Sequence, residues 1–229
     1  ENMKIGGDKA KARQIMKRRG IPVVPGSDGP VVSEEIAMKV AKKIGFPVIV
    51  KASAGGGGRG MRIVREEAEL EQAFHMAQRE AFAAFGSGEL YVEQYIPEMR
   101  HIEVQIVADS KGNTLHIGER DCSIQRRHQK LIEEAPSPIS TEKFRKQIGE
   151  LAVRAARAMK YRNVGTIEFI VEPSGNIYFM EINTRIQVEH PVTEMISGID
   201  LIKEQIKLAA GFPIEYKQNQ IKTQGHAIE

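Results

Sequence analysis

The sequence predicts an α+β protein in two unlike parts, and three observations carry that expectation. Residues 23–96 read as helix, apolar strand, glycine run, strand, helix and strand. Between 101 and 108, Ile102, Val104, Ile106 and Ala108 instead alternate with His101, Glu103 and Gln105, the mark of a strand with two different faces. At 229 residues, 41% of them hydrophobic, the chain can bury one large core or two intimate ones.

Composition excludes several classes. Lys and Arg number 33 against 30 Asp and Glu, so a formal charge of +3 gives no nucleic-acid signal, and with no Trp there is little to stack bases on. No apolar run has membrane-spanning length, and residue 1 does not open a signal peptide. The single cysteine, Cys122, excludes a disulfide framework and points to a reducing, cytoplasmic setting.

The elements follow in order. Residues 8–19 form a short helix that Asp8 can cap, with Ala12, Ile15 and Met16 as its apolar stripe and Gly20 as its stop. After a Pro/Gly connector, Ser33 caps a second helix reaching about Ile44, with Glu34 and Glu35 in its first turn. Gly45 ends it, and Pro47 leads into the strand Val48-Ile49-Val50. A second strand covers 61–64, a helix 66–85 and a third strand 90–96. The predicted divisions are a helical lead-in at 1–22, a small subdomain at 23–96 and a large one at 97–229.

In the large part, Ile102, Val104, Ile106 and Ala108 share one face and His101, Glu103 and Gln105 the other. Gly112-Asn113 turns the chain into a strand at 114–119. An irregular basic stretch, 120–130, precedes a helix at 141–160. Two strands joined by Pro173-Ser174-Gly175-Asn176, a helix at 201–210 and the start of another strand at 228 complete the chain.

The glycine run Gly55-Gly56-Gly57-Gly58 lies between two strands. A dinucleotide fingerprint requires a helix after the glycines, and a P-loop requires Gly-Lys-Ser/Thr. The arrangement fits a flap over phosphates, with Lys51 as a point charge, or a plain hairpin tip; four adjacent glycines cost more entropy than a turn needs, which favours the flap. A turn symmetric about Ser174-Gly175 puts Glu168 directly opposite Glu181, with Cβ atoms about 4.5–5.5 Å apart. Two carboxylates that close repel unless a cation or shared proton lies between them. With the Asn183 amide nearby, the hard oxygen donors favour Mg²⁺ or Mn²⁺; the alternative is two solvated carboxylates on an open sheet face.

Downstream, Arg185 is suited to bracing oxyanions and Glu189 to acting as a base, or the two form a surface salt bridge. His190, before a proline, reads as a structural hydrogen-bonder. The 120–130 stretch is either an anion-binding loop or solvated charge, and Cys122 reads as a small buried side chain.

Three motifs in order resemble biotin carboxylase, an ATP-grasp enzyme. They are the glycine run Lys51-Ala52-Ser53-Ala54 through Arg62, the stretch Glu119-Arg120-Asp121-Cys122 through Lys130, and Glu181-Ile182-Asn183-Thr184-Arg185-Ile186-Gln187-Val188-Glu189-His190-Pro191 with the residues to Glu194. The resemblance covers essentially the whole chain. It implies two α+β subdomains enclosing a nucleotide, and a reaction in which MgATP converts bicarbonate to carboxyphosphate, which carboxylates carrier-linked biotin. By position it implies that Lys9 and Lys51 contact phosphates, Gly57 and Gly58 belong to the lid, and the backbone of Glu93, Gln94, Tyr95 and Ile96 forms the adenine hinge. His101, Gln125 and His128 would line the nucleotide site, and Glu168, Glu181 and Asn183 would hold two Mg²⁺ or Mn²⁺ ions. Lys130, Arg185, Gln187 and Val188 would cradle bicarbonate, with Glu189 as base and Arg185 stabilising carboxyphosphate and the biotin enolate.

The implied partners are a biotin carboxyl carrier, a carboxyltransferase component and a second copy of the full-length protein. The implied context is acyl-CoA carboxylation for fatty acid biosynthesis, or pyruvate carboxylation. A carbamoyl-phosphate synthetase-like unit shares the bicarbonate step, and a nucleotide-binding fragment inactive alone is the non-enzymatic alternative. Gln94 departs from the Lys of several relatives and Ala54 from a glycine. The chain is also shorter than the family's full catalytic unit, so nucleotide binding is expected to survive better than biotin carboxylation.

Overall fold

The computed structural model describes residues 9–53 and 60–229. The Asp8 cap, the Lys9 side chain and the glycine run with Gly57 and Gly58 lie outside the described residues. Helix α1 (Lys9–Arg18) buries Ala12 and Met16, one turn apart on one face. Helix α2 (Glu34–Ile44) starts where Ser33 Oγ accepts from the Ile36 N–H at 3.4 Å, and it buries Ala37 and Ala41. Strand β1 (Val48–Ala52) pairs antiparallel with β2 (Met61–Val64) and β3 (Leu90–Gln94) in a three-stranded sheet ordered β2-β1-β3.

Between β2 and β3 the predicted helix begins as a 3-10 turn, Glu67–Glu69, before α3 (Leu70–Phe85). Leu70, Phe74, Ala77 and Ala81 of α3 form the stripe that covers Val48 and Val50 of β1 and Val92 of β3. The opposite face of this sheet, with Ile49, Lys51, Tyr91 and Glu93, looks into a cleft. The third strand stops at Gln94 rather than 96, because the N–H groups of Gln94 and Tyr95 bond to the carbonyls of Pro25 and Pro47.

The second sheet is six-stranded and antiparallel. It contains β4 (Arg100–Ala108), β5 (Thr114–Arg126), β6 (Gln129–Ala135), β7 (Asn163–Val171), β8 (Ile177–Asn183) and β9 (Ala227–Ile228), ordered β8-β7-β4-β5-β6-β9. Ile102, Val104, Ile106 and Ala108 of β4 meet Ile167, Phe169 and Val171 of β7 in one core, covered by α1 and by α4 (Glu142–Ala158). Thr141 caps α4 by accepting from the Phe144 N–H, and the small residues Ala152, Ala155 and Ala156 let the helix lie close to the sheet. On the other face, α5 (His190–Ser197) and α6 (Leu201–Ala209) cover the far end, where Leu201 packs with Val107, Ile117 and Val164.

Two expectations are corrected. Residues 120–130 are not irregular: they are the end of β5 and the start of β6, joined by a two-residue turn at Arg127-His128. The segment's buried charges are paired, Arg120 with Glu103 at 2.5 Å and Asp121 with Arg100 at 2.9 Å, both partners on β4, while residues 126–129 stay exposed. The β7–β8 turn is not symmetric about Ser174-Gly175, since Val171 opposes Ile177 across a five-residue loop. A bulge between Glu168 and Phe169, where Phe169 faces Phe179, restores the predicted partnership Glu168 opposite Glu181.

Residues 22–31 run from one sheet to the other. Val23 bridges to Phe179 of β8, Gly26 to Glu93 and Val31 to Leu90, both in β3. Gly26 is required there: a Cβ would lie 2.4 Å from the Val92 carbonyl oxygen.

Candidate functional site

The inner faces of the two sheets enclose a cleft of about 1180 Å³. Lys51, Glu93, Gln94, Tyr95 and Ile96 line it from the small sheet and the strand end. His101, Gln125, His128, Lys130, Glu168, Glu181, Asn183, Arg185, Gln187, Val188 and Glu189 line it from the large one. Residues far apart in sequence are thus brought to one place by the register of β4, β5, β7 and β8.

On the small-sheet wall, Lys51 Nζ donates to Glu93 Oε2 at 2.7 Å, and the Arg13 guanidinium grips the other carboxylate oxygen. Glu93, singled out above for its backbone, therefore also contributes a side chain that steadies Lys51.

On the opposite wall Lys130 is the centre. Its ammonium donates to Glu189 Oε1 at 2.7 Å, Glu168 Oε1 at 2.9 Å and Glu103 Oε2 at 2.5 Å. Burial disfavours its charge, yet Glu103 and Glu168 outweigh that and hold the amine well above its ordinary pKa. Burial pushes the Glu168 carboxyl up, but His101 and Lys130 pull it well below the usual carboxylate range. Glu189 behaves similarly: burial raises it, and the Lys130 bond and charge bring it below normal. The alternative of an Arg185–Glu189 salt bridge is not what forms, since Glu189 is held by Lys130 and Arg185 is exposed and donates to the Ile186 carbonyl.

His101 Nε2 lies 2.8 Å from Glu168 Oε2, and its Nδ1 lies 2.8 Å from Gln125 Nε2. The Gln125 amide also donates to the Cys122 carbonyl at 2.7 Å. With its two hydrogens so directed, Nδ1 must accept, which assigns the imidazole proton to Nε2, facing Glu168. Burial lowers the His101 pKa, but the Glu168 charge raises it overall, so full protonation requires the Gln125 amide to turn. Cys122 is buried and its thiol is pushed far up by burial, which leaves it unsuited to nucleophilic work. His190 Nδ1 meets the Gln187 carbonyl at 2.8 Å, a structural bond at the start of α5.

Glu168 and Glu181 sit across the β7–β8 ladder, and Asn183 Nδ2 donates to Glu168 Oε1 at 2.8 Å. Two carboxylates and an amide oxygen on one cleft wall are a hard donor set that fits Mg²⁺ or Mn²⁺.

Sequence reasoning missed the layer beneath. Arg120 is fully buried and donates to Glu103, Gln105, Thr166, Gln187 and Thr193. The signal was present in part: alternation puts Glu103 and Gln105 on the His101 face, and continuing β5 past Glu119 would have placed Arg120 opposite Glu103.

The three-stranded sheet folded over a larger antiparallel sheet, with the cleft between them, defines an ATP-grasp fold. The chain belongs to the family described as carbamoyl-phosphate synthase L chain, ATP binding domain, whose model matches residues 8–217. It is 55% identical over 229 residues to biotin carboxylase 2, chloroplastic, of Populus trichocarpa, covering 100% of this chain and 44% of that protein. The biotin carboxylase of Campylobacter jejuni, solved as a β,γ-ATP complex, matches with a TM-score of 0.97 at 54% identity, over 100% of this chain and 51% of that one. The biotin carboxylase domain dimer of Hydrogenobacter thermophilus 2-oxoglutarate carboxylase, solved with MgADP, ADP and bicarbonate, gives 0.96 at 53% identity, covering 99% and 50%. The chain spans about half the length of the curated relatives it matches. Among the described residues, no helix is long and apolar enough to cross a membrane.

Proposed function

We propose that this chain is the ATP-binding core of a biotin carboxylase. The observation that carries the reading is the Lys130 cluster: a cation and an ionised carboxylate, Glu189, sit beside the paired Glu168 and Glu181 in one cleft. Glu168, Glu181 and Asn183 present oxygen donors for Mg²⁺ or Mn²⁺, which supplies charge neutralisation to the phosphates of ATP. Lys51, fixed by Glu93, meets those phosphates from the opposite wall. Lys9, Gly57 and Gly58 complete the phosphate contacts, and residues 93–96 with His101, Gln125 and His128 take the adenine side.

Bicarbonate lies among Lys130, Arg185, Gln187 and Val188. Lys130 keeps Glu189 ionised and therefore able to accept the bicarbonate proton as its oxygen attacks the γ-phosphorus. ADP departs, carboxyphosphate forms, and its carboxyl group passes to the biotin nitrogen, while the phosphate released takes up the proton that nitrogen gives up. Exposed Arg185 is free to swing to the carboxyphosphate and to the biotin enolate. A biotin carrier, a carboxyltransferase component, a second protomer and a cytoplasmic setting complete the reading, in acyl-CoA or pyruvate carboxylation.

Bicarbonate-dependent ATP turnover by the full-length polypeptide, stimulated by free biotin, is the test. Glu189→Gln should keep ATP affinity and lose about 10²- to 10⁴-fold in turnover, the usual value of a positioned base; undiminished turnover removes Glu189 from its role. The description of the matched family favours one second reading, a carbamoyl-phosphate synthetase-like unit. Stimulation by ammonia in place of biotin would establish that reading instead.

A further inference from the structure

We propose that Arg120 is a positioning residue that sets the orientation of Gln187 and Glu103 beneath the bicarbonate side of the cleft; the inference rests on the biotin carboxylase reading and deepens it. A guanidinium carries five N–H donors and no acceptor. Arg120 has five acceptors: Glu103 at 2.5 Å, Gln105 at 2.7 Å, Thr193 at 2.9 Å, and Thr166 and Gln187 at 3.3 Å. They come from β4, β7, the loop after β8, and α5, so one planar group ties four segments together.

The consequence is directional. Because Arg120 can only donate, Gln187 must turn its amide oxygen toward it. The Gln187 amide nitrogen then faces the carboxylates, donating to Glu168 Oε1 at 3.0 Å and Glu103 Oε2 at 3.3 Å. Glu103 is likewise split, one oxygen on Arg120 and the other on Lys130. Arg120 itself is fully buried and does not line the cleft, so it acts through these two residues. Lysine cannot replace it, since an ammonium offers three donors and no planar fork.

The test is steady-state kinetics on the full-length polypeptide with Arg120→Lys and, as a milder change, Thr193→Val, which removes one acceptor and keeps the guanidinium. Arg120→Lys should raise the bicarbonate KM about tenfold, the value of one charge-assisted hydrogen bond, and leave the ATP KM within about twofold. Thr193→Val should move the bicarbonate KM in the same direction by about two- to threefold, the scale of a neutral bond. A general structural defect would move both KM values or only the melting temperature. Should Arg120→Lys not fold, an unchanged bicarbonate KM in Thr193→Val overturns the proposal. If the unsubstituted protein lacks bicarbonate-dependent turnover, the biotin carboxylase reading falls, and this inference with it; normal dependence with unselective variants overturns the inference alone.

Discussion

Lys130 carries one charge and touches three carboxylates, Glu103, Glu168 and Glu189. Such a cluster is tolerable only because Arg120 and His101 share the load, each bonded to a different member. Away from the cleft, Asp109 shows how one side chain organises a turn. It is 3% exposed and accepts from the Lys111 and Asn113 N–H groups, the Asn113 amide and the Ile214 N–H. Burial pushes its pKa up, but these bonds outweigh burial and hold it below the ordinary 3.8. A depressed carboxyl stabilises the fold above its unfolded pKa, and that stability is lost as pH falls through the folded value. Asp109→Ala should therefore cost about 1.5–3 kcal/mol at neutral pH, and the gap in urea midpoint from the parent should shrink below pH of about 3.8. A gap independent of pH would mean that the ionised carboxylate is not the stabilising species.

At the scale of elements, the β5–β6 hairpin turns on Arg127 and His128, with φ of 52° and 64°. Both residues are left-handed, the geometry of a type I′ turn, which Asn-Gly adopts without strain and which costs other residues about 1–2 kcal/mol each. His128 lines the cleft, so the strain sits at the site. Arg127→Asn with His128→Gly should raise unfolding free energy by about 1–2 kcal/mol in urea titration and weaken nucleotide binding. Stabilisation without loss of affinity would make the turn purely structural. The same hairpin marks where the sequence stops being legible. Local rules located Ile102 to Ala108, the Ser33 cap and the β7–β8 pair. The strand at 120–126 was hidden because its buried charges, Arg120 and Asp121, are neutralised by Glu103 and Arg100, partners that only the fold brings near. The facing of Glu168 and Glu181 came out correctly although the turn was centred wrongly, since the bulge offset the slip by one residue.

For the whole molecule, the cleft needs both sheets, so ligand binding should stabilise their docking. At a MgATP concentration about 100 times its Kd the native state gains about 2.7 kcal/mol, visible as a raised melting temperature. Glu168→Ala combined with Glu181→Ala should abolish that rise, and a rise retained in the double variant would remove the pair from metal binding. The chain passes between the sheets with little slack. It is stitched to β8 at Val23 and to β3 at Gly26, so only Val24 and Pro25 lie between the two seams. Along this crossing, unlike the longer one at residues 95–99 between β3 and β4, any swing of one wall against the other falls on the torsions of that dipeptide, one of which proline has already frozen. The aperture through which a nucleotide enters is thus sprung on a short, stiff leaf.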